Sequence, residues 1–151
     1  MTQTASRTRR QLREVVDLGE FTLFLPDETV ESGAKLAAEV RAAVADRFMK
    51  LSPALSLFYD LDIEETHVEP GSRKSKNKPR LKKKQGRTLG QKIINIVSVI
   101  GFAIGVLSAD YEKIPENLEK ACQQVVAECQ RRGQNVQIVE TDFPPPQPDD
   151  A

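Results

Sequence analysis

Apolar and polar positions alternate along the chain in two distinct rhythms, and together these predict three strands and three helices. Phe21-Thr22-Leu23-Phe24-Leu25, set between Gly19 and Pro26, is a short apolar run suited to a strand. Leu36, Val40, Val44 and Phe48 then recur every four residues, with Lys35, Glu39, Arg41, Asp46 and Arg47 on most of the remaining surface. That spacing predicts an amphipathic helix from about Ser32 or Gly33 to Lys50. Ser52 and Pro53 mark a boundary. After it Leu55, Leu57, Tyr59, Leu61 and Ile63 alternate with Ser56, Phe58, Asp60, Asp62 and Glu64, the period-two pattern of a strand with one buried face.

Residues 93–107 are almost wholly apolar, and Asn95, Ser98, Gly101, Gly105 and Ser108 fall three or four apart. The expectation is a helix with one small, weakly polar side, in which Ser98, Gly101 and Gly105 allow close packing. A third helix is expected from Pro115 to Arg132, with Pro115 in its first turn, Glu116 and Glu119 near its start, and Arg131 and Arg132 before Gly133. Its inward stripe is Leu118, Cys122, Val125, Val126 and Cys129. Val136, Ile138 and Val139 suggest a final strand. The fold class is therefore α+β: a small, mainly antiparallel sheet covered by two or three helices.

Length and charge refine this picture. The 151 residues suit one domain, placed at about 18–140, with a mobile tail at 1–17 and a proline-rich acidic tail at 141–151. Hydrophobic residues at 39% are enough to build a core, and aromatics at only 5% make that core mainly aliphatic. A formal net charge of zero hides three blocks: balances of −5 over 1–70, +10 over 71–109 and −5 over 110–151. The cations of the middle block begin in a stretch, 70–92, whose only large apolar residues before Leu89 is Leu81, and this reads as a long, exposed basic connection.

That connection supplies the candidate binding residues for an anionic partner: Arg73, Lys74, Lys76, Lys78, Arg80, Lys82, Lys83, Lys84 and Arg87. An acidic protein is the expected partner. Nucleic acid is the alternative, weakened by the lack of an aromatic stacking platform and of a recognition helix. Membrane attachment through 93–109 is a third reading, although the uninterrupted apolar stretch is shorter than a usual spanning helix. Homo-oligomerisation stays open.

Catalytic signals are weak. His67 is the sole histidine, and the nearby Asp60, Asp62 and Glu64 lack the ligand pattern of a calcium or zinc site. Cys122 and Cys129 are seven residues apart on one helix, about 10 Å, too far for a disulfide and without CxxC spacing. No phosphate-binding loop, dinucleotide fingerprint or nucleophile elbow is present. The expectation is a non-enzymatic interaction or adaptor module with no cofactor and no metal. It is placed in the cytoplasm, or at an inner or plasma membrane with the N-terminal region cytoplasmic if 93–109 spans.

Overall fold

The computed structural model describes residues 14–69, 73–84 and 108–146. In chain order the elements are β1 (Val15–Asp17), β2 (Glu20–Phe24), α1 (Val30–Leu51), α2 (Pro53–Phe58), β3 (Tyr59–Glu69), β4 (Lys74–Lys83), α3 (Ile114–Arg131) and β5 (Gln137–Asp142). Residues 108–112 are also helical.

The five strands form one antiparallel sheet organised around β4. β3 pairs with β4 from Tyr59↔Lys83 to Glu69↔Lys74 and so occupies one edge of it throughout. β1 and β2 share the other edge, as Val16↔Leu81 and Phe21↔Asn77 show, with the register offset by one residue between them. They are thus one strand interrupted by a bulge at Leu18-Gly19. Gly19 has φ +106, and a Cβ there would collide with the carbonyl oxygen of Asp142. Pro79 lies opposite this bulge, where its missing N–H costs little, while its carbonyl accepts from the Leu18 N–H at 3.1 Å. β5 then pairs with β2. Counting β1 and β2 as one strand and α1 and the short α2 as one crossover, the described elements run β-α-β-β-α-β with β4 inserted between the parallel β2 and β3, a split β-α-β connectivity.

Helices α1 and α3 pack on each other and on one face of this sheet. Thr29 caps α1, accepting from the Ser32 N–H while the Ser32 hydroxyl accepts from the Thr29 N–H. Its stripe of Leu36, Val40, Val44 and Phe48 is buried, as the four-residue spacing requires. On α3, Leu118, Cys122, Val125 and Cys129 are buried and Val126 is partly so. The helix gives way before Gly133, whose φ of +78 turns the chain so that the Gln134 N–H reaches back to the Cys129 carbonyl at 2.9 Å. Phe21, Leu23, Tyr59, Leu61 and Leu81 complete the core from the sheet side, which extends from Val16 to the partly buried Phe143, edge-on to Phe21.

Three expectations are corrected. Residues 74–83, read as part of an exposed connection over 70–92, form the central strand, because their alternation is carried by cations against Ser75, Asn77, Pro79 and Leu81 rather than by apolar residues. Residues 55–58 are helical, not extended: Pro53 sits in the first turn of α2, and Asp110 Oδ2 accepts from the Ala54 and Leu55 N–H groups at 2.8 and 3.3 Å. Only the 59–64 part of that alternating run belongs to a strand. Val15–Asp17, placed in a mobile tail, is paired with β4. The apolar 93–107 segment, with Ser98, Gly101 and Gly105, lies outside the described residues.

Candidate functional site: the charged face of the sheet

Strand alternation divides the side chains of β4 between two environments. Ser75, Asn77, Pro79 and Leu81 are buried under the helices. Lys74, Lys76, Lys78, Arg80 and Lys82 stand on the opposite face, which no described helix covers. Same-face neighbours along a strand are about 6.8 Å apart, so a row of five cations repels itself unless counter-charges flank it.

The neighbouring strands supply those counter-charges at one end. On β3, Asp60, Asp62 and Glu64 lie opposite Lys82, Arg80 and Lys78. Lys82 Nζ is 3.0 Å from Asp62 and 4.0 Å from Glu64, Arg80 Nη1 is 3.7 Å from Glu64, and Lys84 Nζ is 3.9 Å from Asp60. From β1, Asp17 lies 3.0 Å from Arg80 Nε, a close charge contact that is not aligned along the N–H direction. The acidic strand pattern seen in the sequence is therefore half of an internal charge ladder.

Compensation fails toward the other end. Among the described residues no carboxylate lies within 4.0 Å of Lys76 or Lys78, and Lys74 Nζ rests 5.4 Å from the centre of the Phe24 ring. Beside them Thr22, His67, Glu69, Lys74, Lys76 and Glu140 line a notch of about 40 Å³, in which the Thr22 hydroxyl donates to Glu140 at 3.3 Å. Space of that size holds about one water, not a substrate.

No protein-family model, curated protein or solved structure matches the chain. The functional reading rests on the site itself.

The expected binding residues separate into distinct groups. Lys74, Lys76, Lys78, Arg80, Lys82 and Lys84 are brought together on or beside the open face. Arg73 is engaged elsewhere: its Nε donates to the Glu28 carbonyl at 2.6 Å and its own carbonyl accepts from the Leu25 N–H, which ties the start of β4 to the loop before α1. Lys83 is opposite Tyr59 and so belongs to the helix-side face. Arg87 lies outside the described residues.

Sequence reasoning missed a polar arrangement on the buried side. Asn77 is fully buried, donates to the Ser75 carbonyl at 3.0 Å, and accepts from Arg41 Nη1 at 3.2 Å. The same Arg41 Nη1 reaches Glu65 at 3.1 Å, so one guanidinium links α1, β3 and β4. The signal for it was Asn77 at an inward-facing position of an alternating run, with Arg41 one residue beyond Val40.

Both cysteines are free and buried. Burial, reinforced by Glu119, pushes the Cys122 thiol up to about 12, and burial also raises Cys129. Neither thiol is a ready nucleophile at neutral pH. Among the described residues there is no cluster of three or more His, Cys, Asp or Glu side chains placed to hold a metal, and no helix long and apolar enough to cross a membrane.

Proposed function

We propose that this chain is a non-enzymatic interaction module that docks an acidic protein through the open face of its sheet. The observation that carries the proposal is the asymmetry of the charge ladder: Arg80, Lys82 and Lys84 are satisfied by the chain's own carboxylates, whereas among the described residues none lies within ion-pair distance of Lys76 or Lys78. Docking a partner carboxylate against these two lysines continues the ladder without breaking an internal pair.

Charge distribution favours protein over nucleic acid as the partner. A duplex presents one phosphate charge about every 1.7 Å and needs a broad positive surface. Here Asp17, Asp62, Glu64 and Glu140 are interleaved with the cations, so a continuous polyanion meets repulsion beside each attraction. A protein surface can place single carboxylates at the lysines and neutral donors at the acids. Such docking is a matter of electrostatic complementarity more than of buried area.

Amide chemical-shift titration tests the proposal, using a glutamate-rich peptide, a DNA duplex and a single-stranded oligonucleotide at physiological salt. The peptide should move the amides of Lys76, Lys78 and His67, and the double substitution Lys76→Gln, Lys78→Gln should abolish the response without unfolding the domain. Tighter binding of either nucleic acid, or peptide binding that survives the double substitution, would overturn it.

A further inference from the structure

A second surface lies on the other side of the sheet, where α3 meets β5, and it does not depend on the reading of the open face. A groove of about 290 Å³ runs between them, with Cys122, Val126 and Ala127 on the helix, Ile138 and Thr141 on the strand, and Glu119 at the rim. Its α3 lining recurs at 119, 122, 123, 126, 127 and 130, one continuous side of about three helical turns next to the core stripe. Val126 and Ile138 are only partly buried, so the core is open at this seam. Among the described residues β5 pairs only with β2, and no described strand takes its outer edge, the position at which a sheet accepts another strand.

Charge selects the occupant. At the groove Glu119 is exposed, and on the open-face side of the same strand β5 carries the exposed Glu140 and Asp142, the latter directly opposite Glu20. Among the described residues no cation lines the groove. A second copy of the chain would bring this acidic patch against itself, because a two-fold contact repeats the same residues on both sides. A basic partner meets no such cost.

Strand geometry supplies the remaining pattern. β5 is regular over Gln137–Val139 and is then interrupted, as Glu140 has φ +51 and the pairing with β2 shifts register. An added strand beside the regular part points alternate side chains to opposite faces. One set enters the groove over Val126 and Ile138, and the other stands on the open face near Glu140 and Asp142.

We infer that the α3–β5 seam is a docking site for an extended segment in which aliphatic residues alternate with lysine or arginine. Main-chain pairing along Gln137–Val139 provides orientation, the aliphatic side chains fill the groove, and the cations meet Glu140 and Asp142 on the open face. Recognition by strand addition with pockets for alternate side chains is a known physical solution for binding extended peptides.

The probe is a blocked Lys-Val-Lys-Val-Lys peptide, compared with versions carrying glutamate for lysine or serine for valine. Titration should move the amides of Gln123, Val126, Ile138 and Val139 saturably for the first peptide, with both replacements much weaker. Ala127→Arg, an exposed substitution at the groove, should lower affinity at least about tenfold, equivalent to filling the anchor space. If that variant melts early, Gln123→Arg on the same wall takes its place. Lys78→Gln, which removes an open-face lysine outside the notch that Glu140 lines, should leave this affinity unchanged, which separates the site from the docking lysines of the open face. Groove amides unmoved at millimolar peptide, equal binding of the glutamate version, or indifference to the groove substitutions would overturn the inference. So would a concentration-dependent dimer abolished by Ala127→Arg, which would assign the seam to a second copy.

Discussion

The two faces of the central sheet are built from alternate residues of the same strands, yet they are held by different forces. On the helix side, Leu81 of β4 meets Val16 and Leu61 in a core closed by α1 and α3. On the open side, Lys82 and Arg80 meet Asp62, Glu64 and Asp17 in half-exposed ion pairs. Burial of apolar surface dominates stability, whereas exposed ion pairs contribute little and are screened by salt. The covered face therefore secures the fold, and the charged face is free to serve recognition.

Substitutions can break this contrast. The largest effect belongs to Leu118→Asp, which places a charge at a fully buried position of α3. It should cost roughly 4 kcal/mol, enough to leave a domain of ordinary stability barely folded. Urea unfolding measures it. Asn77→Ala tests whether polar bonding on the covered face matters, since it removes the acceptor of Arg41 in a buried setting. The expected loss is roughly 2 kcal/mol, less than for Leu118→Asp because Arg41 keeps Glu65.

Alkaline pH offers a sharper probe of the covered face. The Cys122 thiol is raised from 9.0 to about 12 in the folded protein, so the unfolded chain ionises first. Its stabilising contribution is complete below about pH 9 and is lost as pH rises toward 12, by up to about 1.4 kcal/mol per pH unit. Unfolding curves collected from pH 8 upward should show that slope, and Cys122→Val should remove its share. The smallest effect is expected on the open face: Arg80→Gln should cost roughly 0.5 kcal/mol, and added salt should erase the difference from the parent protein. A loss as large as that of Asn77→Ala would mean that the ion pairs hold the fold.

Much of the covered face was legible in the sequence because apolar periodicity reports burial directly. Leu36, Val40, Val44 and Phe48 predicted α1, and Leu118, Cys122, Val125 and Cys129 predicted the inward side of α3. Strand β4 was hidden because its period-two pattern has little apolar contrast: Lys-Ser-Lys-Asn-Lys-Pro-Arg-Leu alternates large cations with Ser, Asn and Pro, residues that also build loops. Its acidic complement on β3 lies 14 to 24 residues away in sequence and meets it only through the hairpin register. The error at 55–58 has the opposite cause. Leu55 and Leu57 continued a strand rhythm, but Pro53 and the remote Asp110 cap support one and a half turns of helix there, and Leu57 is left 56% exposed.

The central claim is that the basic run is the middle strand of the sheet, since the charge ladder and its uncompensated lysines both follow from that placement. Native-state hydrogen exchange resolved to single amides tests it directly. The N–H groups of Ser75, Asn77 and Leu81 should be protected to about the same extent as those of β2, because both strands open only when the sheet does. Exchange of residues 74–83 at the rate of an unstructured chain, with β2 still protected, would contradict the account.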